Sequence, residues 1–302
     1  MKKIELSTSK GSKIATYIYD DVQNPKAVIQ IVHGASEHFT RYENFINFLN
    51  INGFIAVGCD NLGHGESCHA DANYIYFEGP EAFEALVLVK QYIENTYQNI
   101  PLYLFGHSMG SFLARKLLID YPKSYAKGII SGTNTMPTLV SSTALCLAFI
   151  AKVFRGPKGI SPLLNNLGMD GLPKLMKKKG LLNDNEMWIT HNQEIADYYR
   201  NSPLCGEVFT ITAYQGMLSW VNYVGKKAKI KKGDKTTPIL FIAGSEDPVS
   251  NFGVGINKTV ELYKKCNYEF IETIIYDHMR HEVLNEIGNE KVYQDCLNFL
   301  KQ

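Results

Sequence analysis

The stretch Pro101 to Leu118 (PLYLFGHSMGSFLARKLL) constrains this chain more than any other. Leu102 to Phe105 reads as a buried strand, and Phe112, Leu113, Lys116 and Leu117 recur at helical spacing. Only Gly106-His107-Ser108-Met109-Gly110 stands between the two patterns. A strand that runs straight into a helix must turn sharply at Ser108. Gly106 and Gly110 remove the side chains that would collide across that turn. The Ser108 hydroxyl is then left clear at the end of the sheet. The Met109 N–H, at the start of the helix, points to where an oxyanion would form.

The surrounding pattern supplies the sheet. Lys26 to Val32 (KAVIQIV) is a continuous apolar run, as a strand buried on both faces requires. Tyr42 to Asn52 has helical spacing, and FIAVGCD opens the next strand after Gly53. Strand, helix and strand in succession imply a parallel sheet with right-handed crossovers. Residues 3–9 and 13–19 read as a hairpin across Lys10-Gly11-Ser12. Further helices are expected over Pro80–Tyr97, Tyr214–Lys227 and Val283–Leu300, the last with a break at Gly288, and one ends over Val260–Cys266. Further strands are expected over Lys127–Ser131, Pro238–Gly244 and Tyr268–Tyr276. From 133 to 213 the alternation fails. Leu139–Phe154, Leu172–Lys179 and Asp184–Tyr199 read as helices, with no strand-type periodicity between them. The segment is too apolar for a disordered linker. The expected fold is therefore α/β: a core over 1–132 and 214–302, with a helical insertion over 133–213.

Composition narrows the function classes. At 302 residues and 45% hydrophobic content, the chain can bury a large core, and a net charge of +1 gives no general attraction to nucleic acid. The six cysteines have neither C-x-x-C nor metal-type spacing, so we expect reduced thiols, mostly buried, in a cytoplasmic chain. The N-terminus lacks the apolar segment of a signal peptide. No run of 18 to 20 apolar residues is evident, so no membrane span is expected. Nothing points to an obligate protein partner.

A serine hydroxyl is inert alone; it needs a base, and the base needs an orienting carboxylate. In a parallel sheet such groups collect at the carboxyl ends of strands. Two strand ends after the insertion carry them: PILFIAG-Ser245-Glu246-Asp247-Pro248 and YEFIETIIY-Asp277-His278-Met279-Arg280-His281. The order Ser, Asp, His suits G-x-S-x-G on this type of sheet. Asp247 is favoured over Glu246 because Pro248 fixes the turn beside it. His281 and His278 both lie in the loop, with His281 immediately before the last helical pattern. A second oxyanion donor is expected after the third strand, and Ala35 N–H in His33-Gly34-Ala35-Ser36 is the candidate. His64, flanked by Gly63 and Gly65, reads as a structural turn residue.

Taken in order, HGASEH, DNLGHGES, GHSMGS, GSEDPVS and RHEVLNE resemble the monoacylglycerol lipase and lysophospholipase group of the α/β-hydrolase superfamily over nearly the whole chain. The resemblance implies an α/β-hydrolase fold with a helical cap after the sixth strand. It places the nucleophile on Ser108, the acid on Asp247, the base on His281, and the oxyanion amides on Ala35 and Met109. It gives Glu37 and His38 a structural role. The implied activity is hydrolysis of a lipid ester (monoacylglycerol or lysophospholipid) through an acyl-enzyme, with no metal or cofactor. A carboxylesterase or thioesterase of shorter acyl chains is the alternative, and a non-catalytic binding protein on the same fold is the rival of another class. Epoxide hydrolases and dehalogenases would carry Asp in place of Ser108, and the H-G-G-P loop of proline aminopeptidases is missing.

The insertion bears on substrate. Leu139 to Phe154, with Met136, Leu163, Leu164 and Met169, could wall an acyl-chain pocket; Met136, Leu139, Phe149 and Leu163 are the candidate contacts. Lys152–Lys179 holds seven Lys or Arg and one Asp, and Lys226–Lys235 six Lys and one Asp. On the cap side, such runs would give weak contact with an anionic membrane surface or a phosphate head group.

Overall fold

The computed structural model describes residues 1–68 and 74–302. In chain order its strands are β1 (Lys2–Ser7), β2 (Lys13–Tyr19), β3 (Ala27–Val32), β4 (Phe54–Cys59), β5 (Tyr74–Ile75), β6 (Leu102–His107), β7 (Lys127–Ser131), β8 (Val208–Phe209), β9 (Ile239–Gly244) and β10 (Ile271–Tyr276). Its helices are α1 (Glu43–Ile51), α2 (Gly79–Thr96), α3 (Met109–Asp120), α4 (Thr138–Arg155), α5 (Pro162–Leu167), α6 (Gly171–Lys178), α7 (Gln193–Asn201), α8 (Ile211–Val224), α9 (Lys227–Ile230), α10 (Val254–Lys264) and α11 (Asn289–Lys301).

Eight strands form one sheet in the order β1-β2-β4-β3-β6-β7-β9-β10. From β4 to β10 across the sheet every pair is parallel, while β2 pairs antiparallel with both β1 and β4. Every residue of β3, β4 and β9 is buried, because helices cover both faces; that is why these strands are apolar throughout rather than alternating. One face packs on α2, α3 and α10. The other packs on α1 and α11, through Phe45, Leu49, Val292 and Leu297. The functional end of the sheet is the edge where β3, β6, β7, β9 and β10 terminate.

Between β7 and β9 the chain leaves the sheet and forms α4 to α8. Helix α8 packs on α2 and α3 on one side and on α4 on the other. Three local differences from the sequence reading have physical causes. First, no helix starts at Asp184. Glu186 accepts from Asn183 N–H at 3.2 Å and from Arg280 Nη2 at 2.6 Å, so polar bonds hold a turn there, and α7 begins only after Asn192 caps it through Glu194 N–H and Ile195 N–H. Second, the insertion does contain a strand: β8 pairs with β5 over two residues, too short to show a period. Third, α4 is long and apolar enough to cross a membrane by length and composition, with 18 residues and mean hydropathy 1.5. The sequence reading did not count it because Ser141, Ser142, Thr143 and Lys152 interrupt the apolar run. Only Ser141 and Ala148 of α4 are fully buried.

Candidate active site

The site is built on the turn between β6 and α3. Ser108 has φ 52° and ψ −120°, a strained conformation for a non-glycine residue that costs about 1–3 kcal/mol. Its neighbours enforce it. A Cβ on Gly110 would strike the carbonyl oxygens of Val32 and His33, so β3 packs directly against the start of α3. Ser108 N–H donates to Ser131 O at 3.0 Å, and Ser111 N–H and Oγ both donate to Ser108 O. The strain is thus held by backbone contacts from β3 and β7.

Asp247 follows β9 and is completely buried. Its carboxylate accepts from Val249 N–H at 2.8 Å and Ser250 N–H at 3.2 Å, an Asx-type turn that fixes its direction. Asp247 Oδ1 lies 2.8 Å from His281 Nδ1, on the loop after β10. The loop reaches this place because its backbone pairs with the end of β9: Ser245 N–H donates to Tyr276 O and Glu246 N–H to Met279 O. His281 is 2% exposed. Its Nε2 is buried and makes no hydrogen bond within the described residues, and it shares a small cleft with Ser108. Burial opposes a charge on this imidazole, but Asp247, then Glu282 and Glu37, outweigh it and raise the pKa above 6.5. Asp247 and His281 are therefore brought together. Glu246 faces His278 instead, and the His278 side chain is 85% exposed.

Three neighbours of His281 carried no signal in the sequence. Gly132 sits at φ 59°, and a Cβ there would lie 2.8 Å from His281 Cε1. The imidazole of His107 packs at 4.6 Å between ring centres, and Trp188 stacks on His281 at 5.1 Å. Burial and the nearby His281 push His107 well below the usual histidine range, so it is a neutral wall.

Ala35 and Met109 flank Ser108 in one cavity, and neither amide donates a hydrogen bond within the described residues. The loop that carries Ala35 is fastened on both sides. His33 Nε2 accepts from Asn61 N–H at 2.7 Å, so its proton is on Nδ1, which donates to Gly34 O at 2.8 Å. Burial lowers the His33 pKa to about 3. On the other side Gly34 N–H donates to Glu37 Oε1 at 2.5 Å. His64 is buried, its pKa lowered by burial to about 3, and its ring packs on His33, Phe77 and Phe209.

Glu37 belongs to a buried ion cluster that sequence reasoning did not assemble. Arg41 Nη1 donates to Glu37 Oε2 at 2.5 Å, and its two terminal nitrogens bind Glu282 at 2.7 and 2.6 Å. The guanidinium lies over the Tyr199 ring of α7 at 5.0 Å. Burial opposes the Arg41 charge, but Glu282 and Glu37 hold its pKa well above the ordinary value. The Glu37–Arg41 spacing of four is visible in the sequence; Glu282, 241 residues from Arg41, is not. The cluster ties the Ala35 loop, the residue after His281 and the insertion into one unit.

Two cavities share Met169 and Tyr214 as walls, and Ser108 lines the larger of them. The larger, about 370 Å³, has Ser108, Met109 and Ala35 at its base and Met136, Leu164, Tyr214 and Met217 among its walls. The smaller, about 230 Å³, lies beyond Met169, Trp188 and Tyr199 and is more polar, with Ser36, Asn165, Asp170 and Glu207. Of the four expected substrate contacts, Met136 lines the larger cavity. Leu139, Phe149 and Leu163 do not: they are 80%, 62% and 56% exposed. On α4 the inward face belongs to Val140, Ala144 and Ala148, and in a helix apolar over most of its circumference the sequence does not say which side turns in. Among the described residues, no group of three His, Cys, Asp or Glu is placed to hold a metal ion.

A strained serine between a parallel strand and a helix, with a buried Asp–His pair at later strand ends, defines an α/β hydrolase. Residues 23–288 match the family described as Serine aminopeptidase, S33, and the chain belongs to that family. It is 21% identical to a monoacylglycerol lipase of Mycolicibacterium smegmatis, over 96% of this chain and 93% of the relative. It is 26% identical to the phospholipase YtpA of Bacillus subtilis, over 92% and 96%. A thermostable carboxyl esterase of Bacillus coagulans has the same fold, with a TM-score of 0.86 at 20% identity, covering 99% of this chain and 97% of that one.

Proposed function

We propose that this chain is a serine hydrolase of lipid monoesters, acting in the cytoplasm on a monoacylglycerol or lysophospholipid through an acyl-enzyme. The observation that carries the proposal is the Asp247–His281 pair at 2.8 Å, whose other imidazole nitrogen has no hydrogen-bond partner among the described residues, in a residue that lines one cleft with Ser108. As Ser108 Oγ bonds to the ester carbonyl carbon, His281 Nε2 takes its proton. Asp247 holds the tautomer and stabilises the imidazolium. The Ala35 and Met109 amides receive the oxyanion. Collapse of this intermediate breaks the ester C–O bond, and the leaving alkoxide takes the proton from His281. Water then attacks the acyl-enzyme with the same base and releases the acid and Ser108. Each step uses only groups of this chain, the substrate and water.

A lipid substrate is supported by the relatives named for lipid esters and by the apolar walls of the larger cavity, which suit an acyl chain. The outward face of α4, with Leu139, Phe149, Val153 and Phe154 beside Lys152 and Arg155, suits contact with an anionic membrane surface. The test is hydrolysis of p-nitrophenyl esters, monoacylglycerols and lysophospholipids by the wild type and Ser108→Ala, with fluorophosphonate labelling. Labelling and turnover are expected in the wild type alone, with efficiency rising with acyl length. A fall with acyl length would turn the reading to a short-chain carboxylesterase or thioesterase. No labelling and no turnover would favour a binding protein.

A further inference from the structure

Arg115 lies on α3, about two turns beyond Ser108, and its side chain is completely buried. Among the described residues it has no carboxylate within ion-pair distance. Its N–H groups go instead to neutral oxygens. Nε donates to Tyr263 Oη at 3.2 Å. Nη1 donates to Thr133 Oγ1 at 3.2 Å and Asn134 O at 2.8 Å. Nη2 donates to Thr135 Oγ1 at 3.0 Å and Val224 O at 2.9 Å.

The position of these acceptors is informative. Thr133, Asn134 and Thr135 are the segment by which the chain leaves β7 for the insertion. Val224 ends α8, by which the chain returns, and its carbonyl is one of those a helix leaves without an internal partner. The same two segments wall the larger cavity: Asn134 and Met136 from the first, Leu218 and Val221 from α8. A buried charge without a counter-charge is costly, and an apolar side chain of similar volume fills space better. Space filling therefore does not account for an arginine here. Five donors in one rigid plane do account for it, because they fix two crossing segments relative to each other and to the helix that begins at Ser108.

We propose that Arg115 is a positioning residue for the acyl side of the site: it holds the entry and exit segments of the insertion in register, so that the cavity walls meet an acyl chain attached at Ser108. The inference rests on the reading of Ser108 as nucleophile and acts on chain recognition, not on the chemical step. A misplaced wall is felt as lost methylene contacts. Two esters that share a leaving group and differ only in acyl length separate the two effects.

In Arg115→Met, kcat/KM for p-nitrophenyl acetate should stay close to wild type. For p-nitrophenyl decanoate it should fall by about 10- to 200-fold, through KM. Arg115→Lys should recover only part of the loss, because an ammonium has three donors at one point. Should Arg115→Met not fold, the double variant Thr133→Val, Thr135→Val removes two acceptors and is read in the same way. An equal loss on both esters, or no loss on the decanoate, overturns the proposal. Wild-type protein that neither turns over the acetate nor labels at Ser108 instead overturns the serine reading, and the positioning role falls with it.

Discussion

The sheet side of the site and the insertion side are held by different physics. On the sheet side Ser108, Asp247 and His281 are fixed by backbone bonds, by close glycine contacts and by full burial. On the insertion side, α4 to α7 carry few fully buried residues, and several large apolar side chains face outward. Three buried arginines join the two sides; Arg280, on the loop before His281, does so through Glu186 and the carbonyl oxygens of Leu181, Met187 and Thr190. Arg41 does so with two carboxylates near the reacting groups, and Arg115 with neutral oxygens at the roots of the insertion. Under the proposed function, the difference would give bond making to the sheet side and the choice of acyl chain to the insertion. Substitutions on the sheet side should therefore lower turnover of every ester alike, and substitutions on the insertion side should change the ranking among esters.

The largest effect tests the first half of that statement. Ser108→Ala should lower kcat by about 10⁴- to 10⁶-fold on every ester in the panel. Asp247→Asn should cost about 10⁴-fold, because the amide favours the wrong imidazole tautomer. Equal loss on acetate and decanoate esters is the expected pattern. A loss confined to long chains would break the division.

Arg41 comes next, because it belongs to both sides. Arg41→Met leaves Glu37 and Glu282 buried beside each other without their shared cation, which should cost about 3–5 kcal/mol of stability. A shift of the Ala35 loop by even about 1 Å should also lower kcat by about 10²-fold. Thermal melting and acetate turnover measure the two effects. If melting falls and kcat does not, the cluster secures the fold without setting the oxyanion amides.

These contrasts also explain what the sequence revealed. The turn at Ser108 was legible because strand, motif and helix are adjacent in the chain, and the strands were legible because a two-sided burial leaves an apolar run. From spacing alone the histidine partner of Asp247 was legible only as a choice of loop, and it was the family resemblance carried by RHEVLNE that named His281; His278 and His281 differ by which one lies beside Asp247 once the loop backbone pairs Glu246 with Met279. Glu282, Gly132 and Trp188 were not legible at all, since their roles depend on contacts made across the fold. In the insertion the helices were recognisable, but their facing was not. Leu139, Phe149 and Leu163 were expected inside and lie at the surface: on α4 because a helix apolar on most sides has no single direction in which to turn, and on α5 because the neighbouring Leu164 takes the inward place.

A smaller effect concerns pH. In the proposed mechanism His281 must be neutral to accept the Ser108 proton. Its raised pKa means that kcat/KM on a soluble ester should rise with pH through a midpoint above 6.5. Besides Asp247, the charged groups that raise it are Glu282 and Glu37. Glu282→Gln removes one negative charge and makes the imidazolium less favourable, so the midpoint should move to lower pH and activity should extend further into acid. A midpoint that does not move would show that the charge of Glu282 does not tune the base.

The smallest effect on turnover is expected at the outward face of α4, and it bounds the comparison from the other side. Leu139 and Phe149 do not line the larger cavity and are mostly exposed. The double variant Leu139→Ser, Phe149→Ser should therefore leave p-nitrophenyl acetate turnover unchanged. Each side chain that enters an apolar layer contributes about 1.5–3 kcal/mol, so co-sedimentation with anionic phosphatidylglycerol vesicles should weaken by tenfold or more, since about 1.4 kcal/mol is a factor of ten. Raising the salt concentration should weaken it further through Lys152 and Arg155. Vesicle binding that survives both changes would mean that the exposed apolar face of α4 is not the face that meets lipid. A fall in acetate turnover would mean that the insertion reaches the reacting groups more directly than its contacts indicate, because an exposed side chain can affect the chemical step only by moving the backbone that carries it.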